Sequence, residues 1–277
     1  MAVFYFCGHG LQKDVTLLLP EDFGSNKNAP WVKAIDFDAT YRGMSNCAAK
    51  SQYFIVDACR QWTQGLLQDL NTSGVALGRF DIRQQKSRTA PKLYGTSSGL
   101  ASFGDVSGKP SRLTAALIAC LEGKAAEKEN GRWRIKVGKL GFAVRTMIQL
   151  GNRSLPEDQW QKVDPTIGEG SAGDRTLLVL PEGVHPRVLV EFGCDPTEAT
   201  QHARFYYQGI RPAQPQCRAS CQGAWSTEVL AGYYDCGATI EQHPLFASNL
   251  MKEEPINPPG RPVSVSVAAR RRTEGLE

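Results

Sequence analysis

Two short stretches carry side chains able to do covalent chemistry: "FYFCGHG" at Phe4–Gly10 and "FIVDACRQW" at Phe54–Trp62. Each is an apolar run that ends in a reactive group, His9 in the first and Cys59 in the second. A cysteine attacks as its thiolate, and an imidazole within hydrogen-bond reach is the group that removes the thiol proton near neutral pH. Gly8 and Gly10 flank the histidine and leave the backbone open to close approach. The N–H groups of Gly10 and Cys59 would then make a two-donor oxyanion hole. The chemistry these residue types spell is acyl transfer by a Cys–His dyad, with His9 as base, Cys59 as nucleophile and no cofactor or metal. Taken singly, a histidine after a strand or a cysteine at a strand end is ordinarily structural. The flanking glycines and the matched strand ends argue for the pair.

The surrounding elements must bring the two together. Ala2–Cys7 and Tyr53–Val56 are continuously apolar, as in strands covered on both faces of a parallel sheet. Between them Phe37, Tyr41, Met44 and Ala48 recur at helical spacing, with Asp36 or Asp38 as N-cap. Strand, helix and strand at this length make a βαβ crossover, so the strands run parallel and both side chains emerge at their carboxyl edge. A weaker strand follows at Lys92–Gly95. One helix marked by Leu113, Leu117, Cys120 and Leu121 stops at Gly123, and another marked by Leu140, Val144, Met147 and Ile148 stops before Gly151. The expected fold is α/β: a mostly parallel sheet flanked by helices over residues 1–150, then a polar Gly- and Pro-rich linker over 151–175. Residues 176–277 read as a small all-β, sandwich-like domain. Its short β-type runs are Leu177–Leu180, Val188–Phe192, Phe205–Tyr207, Val263–Val267 and two within Glu228–Ile240.

"YFCGHG" and "VDACRQ" resemble the two signature segments of the caspase-like cysteine peptidases, the clan of caspases, metacaspases and their bacterial relatives. "TLLLPED" at Thr16–Asp22 is similar to the return strand after the histidine in bacterial members, and "YGTSSGLASFGD" at Tyr94–Asp105 to the strand and loop lining the substrate groove. "SRLTAALIACLEG" at Ser111–Gly123 resembles the helix after that loop. The likeness covers roughly residues 1–150. It implies an endopeptidase with His9 and Cys59 catalytic, and with Thr96, Ser97 and Phe103 beside the substrate. Caspases carry Gln two residues before the cysteine and cut after aspartate. Metacaspases carry Asp there and accept Arg or Lys, and this chain has Asp57. A buried carboxylate is costly without a cation, so Asp57 implies cleavage after Arg or Lys; the plainer reading is a carboxylate bonded to backbone N–H groups at the strand end.

The resemblance also implies self-processing after the nucleophile strand, where Arg79, Arg83, Lys86 and Arg88 lie within Gly65–Ala90. Some metacaspases need calcium, but Asp69 and Asp81 alone are too few ligands. The family's strand, helix and strand ahead of the histidine strand, with the second acid of the metacaspase pocket, have no counterpart before His9, and the expectation is a start lying upstream. The alternatives are an inactive caspase-like interaction module or fragment and, among enzymes, a separase relative.

Composition bounds the partners. The 32 Lys+Arg against 28 Asp+Glu give +4, and the only dense basic run is Arg270–Arg272, so no nucleic-acid partner is expected. No apolar stretch reaches the roughly 20 residues of a membrane span, and no basic-then-apolar leader opens the chain. The partners expected are a protein or peptide substrate, and a protein taken up by the C-terminal domain. Eight cysteines in 277 residues do not form a disulfide framework, which fits a reducing, cytoplasmic setting. Cys217, Cys221, Cys236 and His243 could in principle hold zinc, but their spacing is irregular, and buried or loop thiols are the plainer reading.

Overall fold

Ala2–Gln12 forms strand β1, which turns back through Lys13–Val15 into β2 (Thr16–Leu19), antiparallel to its last four residues. A short β3 (Ile35–Asp36) pairs antiparallel with β2 and leads into α1 (Phe37–Gly43). Asp36 caps this helix by accepting the Ala39 N–H at 2.7 Å, while Asp38 accepts the Thr16 N–H at 2.8 Å. The helix is shorter than its apolar spacing predicts: a 3-10 turn at Met44–Asn46 ends it before Ala48. Then come β4 (Gln52–Ala58), with all seven residues buried, and β5 (Lys92–Tyr94). Ser111 caps α2 (Arg112–Ala119), which runs into a π turn whose Gly123 has φ 134°. β6 (Ala126–Glu129), β7 (Arg132–Lys136), α3 (Val137–Asn152) and β8 (Asp164–Thr166) follow.

The coordinates are a computed structural model that describes residues 1–61, 73–100, 102, 108–166, 175–210, 219–241, 243–249 and 253–267. They divide into two compact units, residues 1–120 with 135–178 and residues 121–134 with 179–277. The first unit holds a six-stranded sheet of order β3-β2-β1-β4-β5-β8. Only β1, β4 and β5 run parallel; the other neighbours are antiparallel, so the sheet is mixed rather than mostly parallel. The reason is chain length: three residues between β1 and β2 permit only a hairpin. The stretch expected as a linker contributes β8, paired to β5.

One face of this sheet is an aromatic core in which Phe37 and Tyr41 of α1 meet Phe4, Phe54 and Tyr94, with ring centroids 4.9–6.4 Å apart. α3 covers the other face. A Cβ on its Gly141 would lie 3.0 Å from Pro165 and 3.2 Å from the Tyr53 hydroxyl, so glycine sets how near the helix comes. Along β1, residues 2–8 have a strand partner only on the β4 side among the described residues, and Met1, Val3 and Tyr5 are exposed there.

The second unit begins with the β6–β7 hairpin, which turns at Asn130 (φ 50°) and Gly131 (φ 79°), a pair the sequence reading left out. After β9 (Thr176–Val179) come β10 (Arg187–Asp195), β11 (Arg204–Gly209), β12 (Ala219–Gln222), β13 (Trp225–Leu230), β14 (Gly232–Thr239), β15 (Glu253–Ile256) and β16 (Gly260–Ser266). They make two sheets, β13-β10-β16 and β12-β11-β14-β15. Phe192 of the first stacks on Tyr207 of the second at 6.1 Å, the contact of a β-sandwich. Cys221 and Cys236 pair with Phe205 and Tyr207 of β11, and Cys217 lies outside the described residues. Among the described residues no group of three or more His, Cys, Asp or Glu side chains could hold a metal, no cysteine forms a disulfide, and no helix is long and apolar enough to cross a membrane.

Arg88 is buried beneath β4 with no carboxylate partner among the described residues. It donates to Gln52 Oε1 and to the Tyr41 carbonyl, both at 2.8 Å, and lies over the Tyr41 ring. Arg88→Ala strands both acceptors and should destabilise the first unit by about 3 kcal/mol, read as a lower urea midpoint. Arg88→Lys, lacking the fork that spans both acceptors, should recover only part of that.

Candidate active site

β1 and β4 run parallel and in register from Ala2↔Gln52 to Gly8↔Ala58, which makes His9 and Cys59 the next residues at the carboxyl edge. Side chains alternate along strands, so residues 5, 7 and 9 share a face with 55, 57 and 59. The contacts agree. Tyr5 and Thr114 share a hydroxyl hydrogen bond of 2.7 Å, and the Cys7 thiol donates to Asp57 Oδ2 at 3.8 Å. Phe4, Phe6, Phe54, Val56 and Ala58 fill the opposite face. The alternation, carried one residue past β4, puts imidazole and thiol on one face and one edge. His9 is exposed and Cys59 partly so.

Gly10 makes this proximity feasible. It is buried opposite Leu18, and a Cβ there would lie 2.7 Å from the Cys59 carbonyl oxygen and 2.9 Å from the Ala58 Cβ. Contacts that short do not occur, so any larger residue would separate the two strands where His9 and Cys59 sit.

The chain after β5 folds back over the end of β4. The Gly95 N–H donates to Val56 O at 2.8 Å, Gly99 N–H to Arg60 O at 3.0 Å and Arg60 N–H to Leu100 O at 3.1 Å. Ser102 then closes on the thiol: its N–H donates to Cys59 Sγ at 3.3 Å, and its carbonyl lies 3.6 Å from the same sulfur. Arg60 is buried over the Tyr94 ring at 4.1 Å, with its guanidinium donating to Thr96 O and Asp164.

Asp57 is 3 % exposed. Ser102 Oγ donates to Oδ1 at 3.1 Å, and Thr114 Oγ1 (2.8 Å) and Ser111 Oγ donate to Oδ2. These hydroxyls, joined by the Cys7 thiol, meet the carboxylate's need for donors without a cation and without backbone N–H groups. The expectation of backbone N–H donors is corrected: among the described residues the acid is met by neutral side chains and forms no ion pair. A Cβ on Gly95 would lie 3.0 Å from Asp57 Oδ1 and 3.2 Å from Ser102 Oγ, so this glycine admits the arrangement. Burial, then the Asp57 charge, push the Cys7 thiol above its ordinary range. Burial chiefly raises Tyr5 as well.

No protein-family model matches the chain. A "probable protease" from a Desulfuromonadales bacterium is 25% identical over 224 residues, covering 72% of this chain and 25% of that protein. An "uncharacterized protein" of Sinorhizobium fredii is 25% identical over 208 residues, 66% of this chain and 57% of the relative. The chain thus spans well under two thirds of the length of either.

Of the other residues singled out from sequence, Thr96 is fully buried with its hydroxyl turned to Ser97 O, out of reach of a substrate. Ser97 is half-buried and bonds Lys162 O through both its N–H and its hydroxyl. Phe103 lies outside the described residues. Sequence reasoning missed Ser102, Ser111, Thr114 and Gln161, whose Nε2 donates to Gly95 O at 2.6 Å. Ser111 and Thr114 were detectable as an N-cap serine and the residue whose N–H it accepts. Ser102 and Gln161 carry no local signal.

Gly10→Ala should cost about 1–3 kcal/mol by overpacking, and should slow Cys59 alkylation even though lost stability by itself would speed it. Asp57→Asn removes an anion that raises the Cys7 pKa. The thiolate fraction at pH 8 then rises, and Cys7 should react faster with iodoacetamide, quantified by peptide mapping.

Proposed function

We propose that the first unit is a cysteine endopeptidase using His9 and Cys59. What supports it is the in-register parallel pairing of β1 and β4 up to Gly8↔Ala58, after which His9 and Cys59 are the next residues of the two chains. Weaker support comes from the relative named a probable protease, and from the resemblance of "YFCGHG" and "VDACRQ" to caspase-like peptidases. His9 takes the Cys59 proton, and the thiolate adds to the scissile carbonyl carbon. The oxyanion forms beside the N–H groups of Cys59 and Gly10. His9 then protonates the departing amine, leaving a thioester, and afterwards draws a proton from the water that hydrolyses it.

Asp57 directs the enzyme to Arg or Lys. Its donors are all neutral, so they stabilise the carboxylate without cancelling its charge. A guanidinium or ammonium reaching it would be the cation it lacks. The β-sandwich unit serves binding rather than chemistry.

Fluorogenic peptides with Arg, Lys or Asp before the scissile bond test both statements. Turnover of Arg and Lys peptides, lost in Cys59→Ala and in His9→Ala and reduced at least tenfold in Asp57→Asn, is expected. Faster cleavage after Asp than after Arg overturns the specificity, and no cleavage by protein with a free Cys59 thiol favours a non-catalytic interaction module.

Self-processing narrows to three sites. Arg79, Arg83 and Lys86 are exposed, whereas Arg88 is buried and held by its two hydrogen bonds. Intact mass should show cleavage after one of the exposed three in wild type and none in Cys59→Ala. Cleavage after Arg88, or equal clipping of the variant, contradicts this.

A further inference from the structure

A cavity of about 600 Å³ opens at the carboxyl edge beyond β5, between the C-terminal half of α3 and the chain entering β8. Three cations line it, Arg145, Arg153 and Lys162, against a single carboxylate, Asp164, which Arg60 already contacts at 3.5 Å. Arg145 and Lys162 form no ion pair among the described residues, and both are exposed. The exposed Trp160 adds an apolar wall.

Gln161 supplies an independent sign of a missing ligand. Its side chain is 1 % exposed and lines the same cavity, and its Oε1 has no partner among the described residues. A buried acceptor left without a donor is costly. The other end of that amide is engaged: Nε2 donates to Gly95 O and, at 3.4 Å, to Ser102 Oγ. Ser102 in turn donates to Cys59 Sγ and Asp57. One hydrogen-bonded chain therefore links the cavity to the thiol.

We propose that this cavity binds the acidic side chain of a peptide substrate, a specificity that rests on the peptidase reading. Arg145 and Lys162 would hold the carboxylate and Gln161 Oε1 would accept a peptide N–H. The distance sets the position. Cys59 directly follows β4, and the cavity lies past the end of β5 and against β8, one and two strands away. Two strand spacings are roughly 10 Å, which about three residues of extended chain cover. The favoured acid then stands two to four residues from the scissile bond, and the substrate carries a basic residue for Asp57 and an acidic one for this cavity.

Full-length Cys59→Ala protein and fluorescent peptides test this by anisotropy. Each peptide carries one Arg, with Glu, or Gln in its twin, scanned two to four positions to either side of the bond after it. The best Glu peptide should bind about five- to tenfold tighter than its twin, a preference weakened by salt. In Arg145→Gln/Lys162→Gln, whose changes are exposed and leave the fold intact, the gap should shrink to within about twofold. Equal binding of the twins, a preference unchanged in the double variant, or displacement by equimolar inorganic phosphate overturns the proposal. The two readings fail separately. Wild-type cleavage of both twins without Glu preference removes the acidic subsite and leaves the peptidase. Glu-dependent binding without any cleavage removes the peptidase and leaves a cavity for acidic peptides.

Discussion

The parallel, in-register pairing of β1 with β4 is the constraint on which the rest of the site depends. It brings residue 9 and residue 59 to one edge, and alternation of side chains then puts imidazole and thiol on one face. A slip of one residue would turn one of them to the aromatic face, among Phe4, Phe37 and Phe54. That aromatic cluster, packed on α1, therefore secures the register that the reactive face requires. Gly10 contributes at short range by letting the backbones close where a Cβ would collide with Cys59 O.

The opposite face is polar where chemistry would occur. The start of α2 delivers Ser111 and Thr114 to Asp57, and the chain after β5 delivers Ser102 to both Asp57 and Cys59. Ser111 has two tasks, since its oxygen also caps α2 by accepting the Thr114 N–H at 3.1 Å. The helix start and the carboxylate thus hold each other in place. Asp57 is thus buried among neutral donors with no counter-ion among the described residues, and a carboxylate so placed is where an incoming cation would gain most.

What could be read from the sequence was whatever local periodicity encodes. The all-apolar β4, the capped α1 and the helix starting at Ser111 follow from residue spacing and capping chemistry. So do the alternating strands of the sandwich, β10 above all. The edge strands escaped. β8 is three residues including a proline, and β12 and β15 are polar, so their pairing comes from neighbours and not from their own pattern. Asn130–Gly131 was a turn signal left unused. At the site, His9, Cys59 and Asp57 stood out by type and position, whereas Ser102 and Gln161 act through contacts 43 and 66 residues distant in the chain. No single-sequence pattern reports such contacts. Thr96 was drawn in by its neighbourhood and is sealed inside.

The central claim is that the two reactive groups act on each other. The rate of Cys59 alkylation as a function of pH, in wild type and in His9→Ala, tests it without any substrate. An imidazole beside the thiol should make the wild-type residue the faster of the two between about pH 6 and 8, below the ordinary thiol range, with Cys7 labelling alike in both proteins. Superimposable Cys59 profiles would contradict the account.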